Sequence, residues 1–371
     1  MRGSMAARRR ILTSTGFLQM KIITADVETY FDSEYSLKKL TTEEYVRDPR
    51  FECHGWAVRH DDGRMSWESP DGFKECCEVW QTEDVAMLCH HAHFDGLIMS
   101  YHFDFRPKLW LDTLSMGRVC FGADKRLGLD ALAGHFGLAS KSVPYHLFQG
   151  KHWHEIPAAD QHLIAEGAIH DAELTWQCAQ YMLASGHPAV PYPFPSSEIP
   201  VVDATIRMFT EPSLVGDLDL LGQAWSAEQR AKQDLFRELR VTGADLRKDA
   251  VFATMLETLG IEPQKKTTAK DNEKYAFAKS DWFMQDLITH ADERVALLAE
   301  ARLKAQSSIY QTRAERLGFA ATRGPLPVYL AYAAAHTRRW GGGDRMNWQN
   351  FPRSDPAKPE KGALRRAVKA P

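Results

Sequence analysis

The chain has 371 residues, of which 44% are hydrophobic and 26% are charged, and these proportions exclude a disordered or collagen-like protein. No apolar run approaches the ~20 residues that cross a bilayer, so no membrane partner is expected. The six cysteines form no C-x-x-C pair. Their spacing argues against a disulfide framework or a zinc site and favours a reducing, cytoplasmic location.

The net charge of −3 conceals an asymmetry along the chain. Residues 302–371 contain 14 lysines and arginines against 4 acidic residues, whereas the rest of the chain carries a net charge of −13. A basic C-terminal segment on an acidic body indicates that one part contacts a polyanion and that the other holds cations with carboxylates. A solvated charged surface would explain the charge counts equally well.

The first half of the chain alternates short apolar runs with helical patterns. Residues 1–19 carry four arginines and no acid, and we expect a disordered extension there, either a transit peptide or the product of an upstream start. The predicted elements are a strand at 21–28, a hairpin turning at Asp61-Asp62-Gly63, a strand at 85–89, and helices at 112–121, 127–137 and 159–183. This order predicts an α/β domain over 20–184, with a mixed sheet flanked by helices.

A proline-rich segment separates the two halves. Residues 185–200 contain five prolines and are expected to form an extended linker, because such a segment can be neither helix nor central strand. Beyond it, the predicted elements are helices at 202–213, 217–240, 247–259 and 292–317, a strand at 328–335, and a Gly/Arg/Asn-rich tail from His336. The pattern predicts a second, mainly helical domain over 201–371.

Four carboxylates occupy suggestive positions. Side chains alternate between the faces of a strand, so Asp26 and Glu28 share one face at the end of the first strand. Asp95 follows the apolar strand at 85–89, and Asp171 lies within the helix predicted at 159–183. Oxygen ligands from separate elements suit a pair of Mg²⁺ or Mn²⁺ ions, an arrangement that hydrolyses phosphodiesters. Two acids alone would more simply be a solvated strand end.

Five motifs carry a resemblance to a known family. In order they are DVET, HHAHFD, LDTLSM, LGLDALAGHFGL and EGAIHDAELT, and they resemble the 3′→5′ proofreading exonuclease domain of phage-type family A (DNA polymerase I-like) DNA polymerases. The resemblance implies an RNase H-like (DnaQ-like) fold, a bacterial or phage-infected host cell and two bound metal ions. It also implies that Asp112 is a supporting residue and that the catalytic, metal-binding acids are Asp26, Glu28, Asp95 and Asp171.

Two positions depart from the pattern of that family. His91 stands where the family has Asn, and Gly167 stands where it has a Tyr four residues before the last acid. Positions i and i+4 share a helix face, so that Tyr would reach the metal site and orient the attacking water. We therefore expect weakened hydrolysis, with His170 as the nearest substitute, and we expect a Gly167→Tyr change to raise turnover.

Histidines near the third acid allow a second interpretation. His90, His91 and His93 could form a zinc cluster, but they lack a second ligand group, and structural or nucleotide-contacting roles are favoured. The sequence Lys151-His152-Trp153-His154 is equally ambiguous, and a surface loop with a packed Trp is the simpler interpretation.

The basic half resembles the thumb and early palm of the same polymerases. The sequence HTRRWGGGDRMNWQNFPR is similar to the family element that contacts the backbone and minor groove of primer–template DNA, with Arg338 in place of its usual Gly. Arg and Lys neutralise phosphates, and Asn and Gln reach minor-groove acceptors. The expected DNA-binding residues are Arg302, Lys304, Thr337, Arg339, Asn347, Gln349, Asn350 and Arg353. A flexible polar tail is the alternative.

The resemblance covers residues 20–371 but only about the first half of such a polymerase. The palm carboxylates and the fingers helix have no counterpart, so this polypeptide is not expected to polymerise DNA. It would be a partial sequence, a truncated product or one piece of a split polymerase, with a separate C-terminal polymerase chain as partner. The alternatives to an exonuclease module are a catalytically silent DNA-binding scaffold and a small-molecule or RNA nuclease of the same fold.

Overall fold

The structure is a computed structural model that describes residues 20–139, 143–184, 186–268, 271–353 and 362–370. The extension expected at 1–19 lies outside the described residues. Within the described ranges, no helix is both long and apolar enough to cross a membrane. The chain forms two compact units, the first made mainly of residues up to Leu214 with Pro325–Phe351, and the second of Val215–Gly324 with Pro352–Lys369.

A five-stranded mixed sheet organises the first unit. Its strands are β1 (Lys21–Thr29), β2 (Cys53–Arg59), β3 (Met65–Glu68), β4 (Val85–Cys89) and β5 (Leu109–Asp112), and their order in the sheet is β3-β2-β1-β4-β5. β1 is parallel to β4 and antiparallel to β2, and β2 and β3 form the hairpin expected from the sequence. Every residue of β4 is buried, as expected for a parallel strand inside a sheet that helices cover.

Seven helices belong to the first unit within the described ranges. They are α1 (Thr42–Val46), α2 (Pro70–Trp80), α3 (Ala92–His102), α4 (Thr113–Phe121), α5 (Leu129–His135), α6 (Ala158–Leu183) and α7 (Ile199–Thr210). The long helix α6 packs on β1 and β2, and α3 packs on α7. The α/β class with a mixed sheet flanked by helices is therefore confirmed at this level.

The division of the chain differs from the one expected at the proline-rich segment. Helix α7 follows that segment, yet Val202, Ile206 and Phe209 are buried in the same core as Trp110 of the sheet. Residues 325–351 return to this core through Tyr329 and Tyr332. The described part of the linker predicted at 185–200, residues 186–200, therefore lies within the first unit. The expected second domain, 201–371, is shared between the two units because these apolar side chains bury themselves against the sheet domain.

The second unit is mainly helical, as the pattern of its sequence predicted. Its helices are α8 (Leu218–Glu238), α9 (Gly243–Arg247), α10 (Asp249–Thr258), α11 (Trp282–Ile288), α12 (Glu293–Gln306), α13 (Ile309–Arg323) and α14 (Ala363–Arg366). Two short ladders join Lys265–Thr267 to Glu273–Tyr275 and Val215–Gly216 to Val368–Lys369. A separate apolar core contains Phe252, Phe277, Met284 and Leu298.

Two predicted elements are shorter or more broken in the structure, and one strand was not predicted. The helix expected over 292–317 is two helices, because α12 ends at Gln306 and the backbone is extended at Ser307. Two consecutive serines favour such a break, since their hydroxyls offer the backbone alternative hydrogen bonds. The strand expected at 328–335 is reduced to Leu330–Ala331, which pairs with Gly341–Gly342. The helix predicted from residue 112 is preceded by β5, which the prediction missed.

Candidate active site

Three of the four predicted acids converge at the end of β1. Ile23, Ala25 and Val27 are buried, whereas Asp26 and Glu28 are partly exposed on the other face of the strand, as the alternation predicted. Carboxylate oxygens of Asp26, Glu28 and Asp171 lie within 4.8 Å of one another. Asp171 comes from α6, which packs across β1 and so carries its buried carboxylate to the strand.

The fourth acid, Asp95, lies beside this group but outside the set of three. It occupies the first turn of α3, and its side chain is almost fully buried. Burial raises the pKa of Asp95 well above its usual value, and the charge of Asp26 raises it further. A hydrogen bond from the backbone of Val27 acts in the opposite direction. Asp95 is thus held close enough to β1 to sense the charge of the cluster.

Such an arrangement fits a bound divalent cation. Carboxylates crowded together in a partly buried site repel one another, and burial further disfavours their charged forms. A hard cation removes both penalties, and oxygen-only ligand sets are those that Mg²⁺ and Mn²⁺ prefer. In the described part of the chain, Asp26, Glu28 and Asp171 form the one group of acid, His or Cys side chains with metal-ligand spacing.

Asp112 supports the turn that precedes α3. It caps α4, accepting hydrogen bonds from the backbone and hydroxyl of Ser115, and it also accepts from the backbone N–H groups of His91 (2.8 Å) and Ala92 (3.1 Å). Burial alone would raise the pKa of Asp112, but the Ser115 hydroxyl and nearby histidines give a net lowering. These bonds occupy the carboxylate and fix the start of the helix that carries Asp95, which agrees with the expected supporting role.

The histidines of this turn pack against the returning segment 325–351 of the same unit. His91 has a left-handed backbone, and its Nε2 lies 2.9 Å from the hydroxyl of Tyr329. The ring of His93 packs 4.5 Å from that of Tyr329, and His90 Nδ1 lies 2.9 Å from the Thr113 hydroxyl. These contacts favour the structural interpretation of the histidines over a zinc cluster.

Tyr145 is a site residue that the sequence analysis missed. Its hydroxyl is buried and interacts with the carboxylate of Glu28. Burial raises the pKa of Tyr145, and the charges of Glu28, Asp171 and Asp26 raise it further, so the hydroxyl keeps its proton. The only signal was a tyrosine after Pro144 in a stretch without periodicity, which nothing in the sequence connects to α6.

The space at Gly167 is already filled. A Cβ at this position would lie 2.1 Å from Cγ2 of Val143 and 3.4 Å from the hydroxyl of Tyr145. The expectation that Gly167→Tyr raises turnover is therefore wrong, because a side chain there would displace Val143. The glycine leaves room for Val143, which lies two residues before Tyr145 in the chain.

The basic residues predicted to bind DNA do not converge as the acids do. Arg302 is 1% exposed, and its guanidinium binds the Leu246 carbonyl and Asp249 inside the second unit. This burial does not fit a phosphate contact, and Arg302 is removed from the expected surface. Lys304 is half-buried and pairs with Glu300 at 3.0 Å, and Arg353 is exposed in the second unit.

The remaining predicted contacts lie on the tail of the first unit. Thr337, Arg339, Gln349 and Asn350 are exposed, and Arg339 donates to the Thr337 hydroxyl at 3.1 Å. Asn347 is half-buried and accepts from the backbone of Gln349. The neighbouring glycines serve internal packing, since a Cβ at Gly343 would lie 2.2 Å from the ring of Tyr329.

Comparisons with known proteins agree with this fold. No protein-family model and no curated protein matches the chain. The solved POL domain of Pol1 from M. smegmatis, in complex with DNA primer-template and dNTP, superposes with a TM-score of 0.58 at 16% identity, over 94% of this chain and 55% of that one. Brucella melitensis NrnC gives a TM-score of 0.35 at 14% identity over 51% of this chain and 82% of its own, which is too distant for a structural argument.

The chain therefore spans about half the length of the polymerase domain that it resembles. At 16% identity the likeness establishes the fold alone. What the site does must be argued from its own side chains.

Proposed function

We propose that this chain removes nucleotides from the 3′ end of single-stranded DNA, using divalent metal ions held by Asp26, Glu28, Asp95 and Asp171. It also binds primer–template duplex through its basic surface, as the N-terminal portion of a family A-type DNA polymerase. The convergence of Asp26, Glu28 and Asp171 within 4.8 Å carries the proposal. The fold shared with a polymerase POL domain is consistent with it.

The chemistry follows from the ligand set. Bound Mg²⁺ or Mn²⁺ ions activate water and stabilise the negative charge that develops on phosphate oxygens. Asp26, Glu28 and Asp171 would supply the ligands, and Asp95 would join them once a cation relieves the repulsion from Asp26. A water oxygen then bonds to the terminal phosphorus while the bond from that phosphorus to the preceding 3′ oxygen breaks. The products are a nucleoside 5′-monophosphate and a strand one residue shorter that ends in a 3′ hydroxyl.

Duplex binding rests on the exposed polar tail. Arg339, Gln349 and Asn350 reach solvent, and Arg and amide side chains of this kind meet phosphates and minor-groove acceptors with little sequence preference.

A silent DNA-binding scaffold is the competing function. Its support in the sequence was Gly167 and His91, which stand where the family has Tyr and Asn. The interaction of Tyr145 with Glu28 weakens that support, because a tyrosine hydroxyl reaches the acids from another segment of the chain.

The test is degradation of a 5′-labelled single strand by the purified chain with Mg²⁺ or Mn²⁺. We expect stepwise shortening from the 3′ end, abolished by Asp26→Asn and by chelation. The matched control is Asp84→Asn, which neutralises an exposed aspartate that precedes β4 on the same sheet. Calorimetric Mn²⁺ binding that Asp26→Asn leaves unchanged would show that the cluster holds no metal and would refute the proposal.

A further inference from the structure

Residues 143–148 pack against α6 beside the acid cluster, and we call this segment the wall. The backbone N–H of Tyr145 donates to the Val143 carbonyl at 3.0 Å, and a turn of 3₁₀ helix follows over Tyr145–Phe148. Val143 and Tyr145 pack on a small apolar cluster that contains Phe148 and Ile164 of α6. The wall is thus anchored on the helix that carries Asp171.

The wall and α6 meet at Gly167 without a gap. Gly167 is buried one helical turn before Asp171, on the same face of α6. Any side chain at position 167 would overlap Val143, whose Cγ2 lies 2.1 Å from the Cβ position. The Tyr145 hydroxyl stands 3.4 Å from the same point, at van der Waals distance, so it borders the space that Val143 fills.

The contacts of the Tyr145 hydroxyl distinguish it from an ordinary core tyrosine. Tyr35, for comparison, donates its buried hydroxyl to the backbone carbonyl of Tyr45 at 2.7 Å, a purely structural bond. The hydroxyl of Tyr145 instead lies beside α6, 3.4 Å from the Cβ position of Gly167, and interacts with Glu28, Asp171 and Asp26 of the acid cluster. A protonated hydroxyl beside carboxylates can donate, and a donor fixes the orientation of the carboxylate that accepts from it.

We propose that Tyr145 is the positioning residue of this site, holding Glu28 and the attacking water in line, and that Gly167 is glycine so that Val143 can pack against α6 and bring Tyr145 to Glu28. This inference rests on the proposed exonuclease function. It assigns the role expected of an α6 side chain to a different segment of the chain.

The first experiment removes only the hydroxyl. Tyr145→Phe keeps the ring and should lower kcat by about 10- to 100-fold, the range for losing an outer partner of a metal ligand. We expect KM for single-stranded DNA, calorimetric Mn²⁺ binding and the melting temperature to stay close to wild type. The control, Tyr35→Phe, also removes one buried hydroxyl and should lower the melting temperature without changing kcat.

The second experiment uses the collision at Gly167. Gly167→Ala improves helix propensity by about 1 kcal/mol, yet its Cβ meets Val143, so turnover should fall as the wall moves. Adding Val143→Ala removes the colliding methyl group and should restore much of that turnover. Gly134→Ala is the matched control, because it lies in helix α5 with no atom within 4 Å of its Cβ, and it should change nothing in catalysis.

The outcomes separate this inference from the function on which it rests. Wild-type turnover in Tyr145→Phe, beside a wild-type chain that degrades DNA, would overturn the role of Tyr145 alone. Equal losses of stability and turnover in Tyr145→Phe would reduce it to a packing residue. A wild-type chain that neither binds Mn²⁺ nor shortens DNA would overturn both.

Discussion

The acid cluster and the basic surface are built in opposite ways. The acids sit on regular elements of one sheet domain, where β1 and α6 hold Asp26, Glu28 and Asp171 within 4.8 Å. The basic residues are spread over a helix and a tail and are divided between the two units. A site that must gather charges of like sign needs rigid elements to hold them, whereas a surface that meets a polyanion needs only the correct average charge.

The comparison also shows what a charge count can and cannot indicate. The excess of basic residues after residue 302 predicted a surface, yet Arg302 is a core residue. Arg345 is also engaged within its own unit, where one guanidinium nitrogen donates to the Lys38 carbonyl at 2.5 Å. Net charge describes a segment, and only the fold decides which of its side chains face solvent.

The largest expected effect tests the acid side of this comparison. Asp171→Asn should reduce exonuclease turnover by more than about 100-fold, beyond the range for losing an outer-shell partner. It removes a charge that a bound cation needs, while the amide keeps the size of the side chain. Duplex affinity, measured by fluorescence anisotropy, should not change, because the tail residues are untouched. A parallel loss of duplex affinity would show that the two regions are one site.

How much of this site the sequence could predict follows from its periodicity. Strand alternation placed Asp26 and Glu28 on one face, and the helical pattern over 159–183 agreed with α6 to within one residue at its start. Tyr145 could not be predicted, because no periodic pattern connects its segment to α6 and its contact with Glu28 is long-range. The four-residue β5 was missed because so short an apolar run cannot be told from the beginning of a helix.

The domain boundary escaped prediction for a related reason. The pattern of 202–213 indicated a helix, which spans Ile199–Thr210 in the structure, but a helical pattern does not say what will cover the helix. The core of the sheet domain takes Phe209 of α7, and Tyr329 returns to it from much later in the chain. The prolines before α7 therefore do not mark the end of a domain, and they do not form an extended linker either, because a turn of 3₁₀ helix spans Ser196–Glu198 and Pro200 lies in the first turn of α7.

The next largest effect concerns Arg302, which the sequence predicted to bind DNA but which is buried in the second unit. Arg302→Ala should lower the free energy of unfolding by about 2–3 kcal/mol, because it removes a buried charge-assisted hydrogen bond and leaves the Leu246 carbonyl unsatisfied. Lys304→Ala is the control, since its partly exposed pair with Glu300 contributes no more than about 0.5 kcal/mol. Urea unfolding measures both. A change in duplex affinity by Arg302→Ala without loss of stability would return Arg302 to the DNA surface.

The stability of the first unit should depend on pH through His54 of β2, which is not one of the predicted metal ligands. The expected effect is of intermediate size. Burial lowers the pKa of His54 to about 4. The charge of Glu52 raises this pKa and that of His152 lowers it, but both effects are smaller than that of burial. An unfolded histidine binds a proton near pH 6.5, so the unfolded state takes up protons first and stability falls as pH drops from about 6.5 towards 4. For this one group the loss between pH 7 and pH 5 is about 2 kcal/mol.

His54→Leu should remove that part of the pH dependence. Urea unfolding at pH 7 and pH 5 measures it, and the gap between the two values should narrow relative to wild type. His162→Gln is the control, because His162 is exposed on α6 and should leave the gap unchanged. An undiminished gap in His54→Leu would place the acid sensitivity of this region in other buried groups, such as His93, whose pKa burial lowers to about 3.

The smallest effect tests whether the tail is a DNA surface at all. Arg339 is exposed, and as a phosphate contact it would release about one counterion, so Arg339→Ala should make the log–log salt dependence of duplex affinity shallower by roughly one unit. Affinity should fall by the same factor for duplexes of different sequence, because phosphates carry no sequence information. Arg64→Ala, which removes an exposed arginine from the β2–β3 turn, should leave the slope unchanged.

If both variants shift the slope equally, binding follows net charge alone and the tail has no special role. If only Arg339→Ala shifts the slope, Arg339 makes a specific contact with a DNA phosphate.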